Sequence, residues 1–260
     1  MKVVIIGSGN VAWHLAKIVK EKSHQLLQIV NLHSGKISAQ FDRFNTPYVF
    51  TYRNISHEAD IYLIAIKDSE LANLQLPIFR EKQILLHTSG NTSIEVLKKF
   101  SNNFGCCYPL QTFTKGIDTD FSNIPLILES SNVYTKNISE QFATTLSNHQ
   151  QYLSIEKRQI LHANAVIVNN FNNHLFSLSQ DFLKEKNIDF SLLIPLIRET
   201  VNKLEQDTAY NNQTGPARRN DANTLAYHKE LLKENINLLN IYEQLSDSII
   251  QYYHKDGDKN

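Results

Sequence analysis

Cysteine is scarce: the 260 residues hold two, and they are neighbours, Cys106 and Cys107. Adjacent cysteines are poorly placed for a mutual disulfide, and along a strand their side chains point to opposite faces. We read them as reduced, structural thiols. They have no partner pair, and His, Asp and Glu elsewhere show no metal-ligand spacing, so no metal is expected. Net charge is missing too, with 26 Lys plus Arg against 26 Asp plus Glu. Nucleic acid and anionic membranes reward a basic excess or a basic patch, so neither is expected as a partner, and a small molecule is. Long apolar runs are absent: none approaches the ~18 residues of a membrane span. Residues 3–6 are the apolar stretch before the first glycine, well short of a secretory signal, and a cytoplasmic protein is expected. The 13 Phe, 11 Tyr and single Trp are scattered through apolar patterns and read as core, not as a base-stacking platform.

What is present is a change of period. The first half alternates short β-branched runs with helical patterns, the mark of parallel strands joined by crossover helices. Strands are predicted over 2–6, 25–32, 47–50, 61–66, 84–87, 105–110 and 124–128, and helices over 10–21, 69–76, 93–100 and 134–146, with Pro77 ending the second helix. From about residue 156 the apolar residues recur at helical spacing, over 160–182, 192–204 and 225–252. The first of these helices is apolar or small around much of its circumference, which predicts burial by other helices or by a second subunit. The polar stretch 211–221, NNQTGPARRND, reads as loop. The predicted fold class is α/β: a Rossmann-like, doubly wound, mainly parallel sheet followed by an all-helical second domain, with boundaries at 1–154 and 155–260.

The strongest chemical signal is GSGNVA, residues 7–12, directly after a strand and directly before a helix. It fits a dinucleotide fingerprint: Gly7 for the tight turn, Gly9 for close approach of a pyrophosphate, Ala12 for helix–strand packing. Ser8, Asn10 and Val11 complete the turn, and helix amides face the phosphates. A ribose with a free 2′-hydroxyl is normally held by an acid about twenty residues on. Here residues 31–36 read NLHSGK, with no carboxylate, whereas His33, Ser34 and Lys36 suit a 2′-phosphate. NADP (as NADPH) is therefore expected over NAD. Ligands in such sheets lie beyond the strands' carboxyl ends, which adds Ile66, Lys67 and Asp68 after one strand and Thr88 and Ser89 after the next. Asp68 is equally suited to capping the following helix. Ser89 and Gly90 allow close approach by a substrate.

For proton transfer, His162, Asn169 and Asn173 fall at spacings of seven and four on one predicted helix. His162 is the candidate acid, with Asn169 and Ser89 beside it as catalytic candidates; a core or interface histidine is the alternative. In the loop 214–221, Arg218 or Arg219 suits a substrate carboxylate, with Asn173 as a further substrate ligand, while Asp221 suits an N-cap.

Taken together, GSGNVAWHLA, ADIYLIAIKDSEL, LLHTSGN, YPLQTF and QTGPARRND resemble the NADP oxidoreductases that join a Rossmann-like domain to a helical domain of unknown function, over nearly the whole chain. More distantly the chain is similar to pyrroline-5-carboxylate reductase, the deazaflavin-dependent NADP oxidoreductases and the β-hydroxyacid dehydrogenases. The resemblance implies a helical domain against the cofactor cleft and a homodimer formed through it. In the hydroxyacid dehydrogenases a serine-glycine segment, which Ser89 and Gly90 resemble, binds substrate, and a lysine stands four residues before an asparagine. Here Asn169 and Asn170 follow Ala165 and Val166 at that distance, so the lysine acid is missing. Two readings result. One is an oxidoreductase acting on a small carboxylate-bearing carbonyl, imine or alcohol at the domain interface. The other is a catalytically inactive NADP(H)-binding sensor or scaffold.

Overall fold

Strand β1 (Lys2–Ile6) is apolar from Val3 onward because it is covered on both faces: Val3 and Ile5 enter one apolar cluster, Val4 and Ile6 the other. The computed structural model describes residues 1–31 and 39–254. Within them β1 is joined by β2 (Gln25–Val30), β3 (Tyr48–Val49), β4 (Ile61–Ile64), β5 (Ile84–His87), β6 (Phe104–Pro109), β7 (Leu126–Ser130) and β8 (Gln150–Tyr152). The sheet order is β3-β2-β1-β4-β5-β6-β7-β8. Every neighbouring pair is parallel except β6 with β7. The chain thus reverses its direction of travel between β1 and β4, where the doubly wound architecture opens a crevice at the strands' carboxyl ends.

One face of the sheet is covered by α1 (Asn10–Glu21) and α3 (Val133–Leu146), through Trp13, Leu15, Phe142 and Leu146. The other face departs from the sequence expectation. In place of a helix over 69–76 there is the single turn α2 (Asp68–Leu71), because Leu74 and Leu76 are both buried and their spacing of two belongs to extended chain running into Pro77. In place of a helix over 93–100 there is a 3-10 turn, Ile94–Leu97. Ile94, Leu97 and Phe100 are buried at steps of three, the period of that tighter winding. The short edge strand β8 was not expected; its QQY sequence carries no apolar signal. Cys106 and Cys107 fall in opposite clusters, both buried and unpaired, and burial pushes the Cys107 thiol up to about 12.

The chain divides into two compact units, Met1–Ile167 and Val168–Asn260. Helix α4 (Ile155–Ala165) belongs to the first, and residues Val166–Phe171 wind as a π-helix. The second unit is helical: α5 (Asn172–Glu185), α6 (Ile194–Leu204), the single turn α7 (Ala209–Asn212), α8 (Ala222–Leu232) and α9 (Ile236–His254). The helix expected over 225–252 is broken between α8 and α9, where the Asn235 side chain accepts from Leu238 N at 3.1 Å and caps the second piece. Asp221 caps α8, accepting from Thr224 N at 3.1 Å. Among the described residues of this unit only Ala217, Leu225 and Ser246 are buried, while Leu192, Leu196 and Tyr252 are 72%, 64% and 69% exposed. Among the described residues no helix is long and apolar enough to cross a membrane.

Candidate functional site

A cleft of about 820 Å³ lies at the carboxyl ends of β1, β4 and β5, entirely within the first unit. Its floor is the glycine turn. Gly7 has φ +129° and donates to Val30 O at 2.8 Å, and a side chain there would run into the Ala65 carbonyl, so glycine is required twice over. Gly9 stands at the N-cap of α1 with no side-chain cap, and the helix's first turn carries no acid. The first amides of α1 are therefore left for an anion. Across the cleft, Ile66, Lys67 and Asp68 follow β4. Lys67 occupies the N-cap of α2 and Asp68 the first helical position, so the capping role considered for Asp68 is not the one it has.

The loop after β5 forms the far wall with Thr88, Ser89 and Gly90. It is held from within and from outside. The Ser89 hydroxyl accepts from Asn91 N at 3.1 Å and Thr92 N at 2.9 Å and donates to Thr92 Oγ1 at 3.0 Å, which spends it on the loop. From α4, the fully buried Arg158 donates to the Ser89 carbonyl at 2.6 Å and the Thr92 carbonyl at 2.9 Å, and its other terminal nitrogen meets Glu129 of β7 at 2.6 Å. Beneath the loop, His87 Nδ1 accepts from Ser89 N at 3.2 Å. Burial, and then the nearby Arg158 guanidinium, push its imidazole down to about 3 from 6.5. The unfolded chain takes up a proton there that the folded chain refuses. Stability from this group is complete above about pH 6.5 and is lost as the pH falls through about 3. Chemical unfolding near pH 4 is expected to show a loss on the order of 3 kcal/mol relative to neutrality, which His87→Asn removes; an unchanged loss in that variant would exclude His87 as its source.

One turn beyond Arg158 on α4, His162 reaches the cleft. Its Nδ1 lies 2.9 Å from the hydroxyl of Tyr108, on β6, with the rings edge to face at 5.7 Å. Gly90 passes directly beneath: a Cβ there would sit 2.7 Å from His162 Nδ1 and 2.9 Å from Tyr108 Cε1. Burial, chiefly, raises the Tyr108 phenol to about 12, so it keeps its proton throughout the neutral range. The cleft thus ends in a hydroxyl–imidazole pair above a loop that has no room for a side chain.

Residues 1–113 match the family described as a Rossmann-like domain, and residues 124–249 match the domain of unknown function DUF2520. The solved structure of a "putative NADP oxidoreductase" from Bacteroides fragilis is 31% identical, with a TM-score of 0.89 over 96% of this chain and 98% of that one. This chain belongs to that family, a Rossmann-like domain followed by DUF2520. At fold level it is also similar to a 1-pyrroline-5-carboxylate reductase from Streptococcus pyogenes, 15% identical with a TM-score of 0.62 over 96% of this chain and 98% of that one. A reductive aminase from Aspergillus terreus, solved with NADPH and ethyl levulinate, is 12% identical with a TM-score of 0.68 over 97% and 99%. No curated protein matches the sequence.

Of the residues singled out by sequence, the cleft brings together Gly7, Ser8, Gly9, Asn10, Val11, Ile66, Lys67, Asp68, Thr88, Ser89, Gly90 and His162. Ala12 is buried behind the turn. His33, Ser34 and Lys36 lie outside the described residues. Asn169, Asn173, Arg218 and Arg219 belong to the second unit. Asn169 sits in the π-helical segment, so spacings counted at 3.6 residues per turn do not carry over to it. Arg218 stacks on Tyr253 at 4.5 Å, while Arg219 is exposed. Sequence reasoning missed Tyr108 and Arg158. Arg158 precedes His162 by four residues, the spacing of one helix face, and Tyr108 stands in the YPLQTF segment that carried the resemblance.

Proposed function

We propose that this protein is an NADPH-dependent oxidoreductase that moves hydride between the nicotinamide and a small carbonyl, imine or alcohol. The chain's own features fit the dinucleotide: a turn where a Cβ would collide, and uncapped helix amides with no acid beside them. Asn10, Val11 and Ala12 would bind the pyrophosphate through their backbone N–H groups. Bound NADPH supplies the hydride; the protein must hold the acceptor and move one proton.

The observation that carries the reading is the Tyr108–His162 pair. In the reductive direction the Tyr108 hydroxyl gives its proton to the oxygen or nitrogen on which hydride attack leaves electron density. The phenolate oxygen then takes a proton back from the protonated imidazole of His162 at Nδ1. Ser89, with its hydroxyl already committed, positions Gly90 and takes no proton. The missing lysine acid is thereby replaced in function. Buried, unpaired thiols support a reducing, cytoplasmic setting. The many exposed apolar side chains of the second unit support a homodimer formed through it; sedimentation at micromolar concentration giving a monomer-sized species would exclude one.

The test is oxidation of NADPH followed by absorbance over a panel of keto acids, cyclic imines and ketones with amines, the last two being chemistries in the fold relatives' names. Turnover of at least one member that Tyr108→Phe suppresses is expected. Tight NADPH binding without turnover anywhere on the panel would instead favour a sensor or scaffold.

A further inference from the structure

Among the described residues lining the cleft, one lysine, Lys67, stands with two acids, Asp68 and Glu70. Beside the expected His33 and Lys36, which lie outside the described residues, a strongly anionic dinucleotide gains from further positive charge near the glycine turn. The connection between β6 and β7 brings such a charge. After Pro109 it runs back along α1 and is pinned there at several points. Phe113 lies against the His14 ring at 4.6 Å, His14 donates from Nε2 to the Thr114 carbonyl at 3.0 Å, and Lys17 meets Asp118 at 2.6 Å. Between these anchors Lys115 donates from Nζ to the Ser8 carbonyl at 2.9 Å and stands 5.3 Å from the centre of the Phe41 ring.

Those two neighbours locate the ammonium. Ser8 is the middle of the glycine turn, and Phe41 lies in the 3-10 helix Ala39–Phe44, downstream of the end of β2. The end of the second strand is where such folds hold the 2′ position of the adenosine ribose. An ammonium has three donors, and Ser8 takes one. We infer that Lys115 binds the 2′-phosphate of NADPH and makes the protein prefer it over NADH, an assignment that rests on the NADPH reading above. Its charge is fixed in place by the flanking contacts before any ligand arrives, which reduces the ordering cost of binding.

The experiment measures dissociation constants for NADPH and NADH by calorimetry with the wild-type protein, Lys115→Gln and Lys115→Arg. Glutamine keeps a donor for the Ser8 carbonyl and removes the charge. Loss of one charge-assisted contact should weaken NADPH about 10- to 100-fold in Lys115→Gln, with NADH changed less than about twofold and arginine restoring most of the preference. An unchanged NADPH constant, or equal weakening of both dinucleotides, would overturn the assignment and leave Lys115 as a loop anchor. A shift of preference in Arg43→Gln with Lys115→Gln unaffected would overturn it as well, because Arg43 packs on Trp13 and Phe44 on the same side. Wild-type protein that binds neither dinucleotide overturns the functional reading and this assignment together, an outcome distinct from those in which only Lys115 fails.

Discussion

Replacing Arg158 by methionine is expected to cost about 3–5 kcal/mol of stability, the range for breaking a buried pair by removing one partner. For a chain of this size that lowers the thermal midpoint by roughly 6–20 °C. The reason is local. Arg158 is fully buried and serves three acceptors on two separate segments, the carbonyls of Ser89 and Thr92 and the carboxylate of Glu129, whose side chain is 20% exposed. Methionine fills the volume and leaves all three acceptors without the donor. Lysine, a point charge without the planar fork, should recover part of the loss. Combining Arg158→Met with Glu129→Leu should recover more, because the stranded charge is then gone. Differential scanning calorimetry of the four proteins decides it; a single-variant shift under about 3 °C would show that the pair does not hold this wall of the cleft.

The second large effect is on the chemical step. Tyr108→Phe and His162→Gln are each expected to lower kcat about 10²- to 10⁴-fold, the range for a positioned acid, with the NADPH dissociation constant changed less than about threefold. Because the two side chains act in one relay, the double variant should be no slower than the worse single one. The phenol, held up near 12 by burial, does not ionise in the neutral range. Steady-state kinetics on the substrate found by the panel provide the check. Additive losses, or weakened NADPH binding with kcat intact, would remove the relay.

The architecture was legible wherever burial left a one-dimensional trace. β1 and α1 were readable to the residue, because a strand buried on both faces shows as an apolar run, Val3 to Ile6 behind Lys2, and the glycine turn marks where the helix begins. The glycine turn of the candidate site was legible because its demands fall on consecutive residues, 7–12. The helices of the second sheet face were misread because buried residues at steps of two or three, as in Leu74–Leu76 and Ile94–Leu97–Phe100, resemble a helical stripe when counted loosely. The chemical end of the site was half legible. His162 stood out as a titratable group on a helix, but its partner Tyr108 lies 54 positions away on a strand. Arg158 looks like any solvated helix arginine until Glu129 and the carbonyls of a third segment are brought around it. Pairings across such separations leave no spacing to read.

We propose above all that the cleft seats NADPH with its nicotinamide against the Tyr108–His162 pair. A crystal structure of the protein grown with NADP⁺ tests it most directly. The account predicts the pyrophosphate on the amides that open α1 and the nicotinamide ring beside Gly90, its C4 facing the space next to the Tyr108 hydroxyl. A dinucleotide bound outside the cleft, or seated in it with the nicotinamide turned away from Tyr108 and His162, would contradict it.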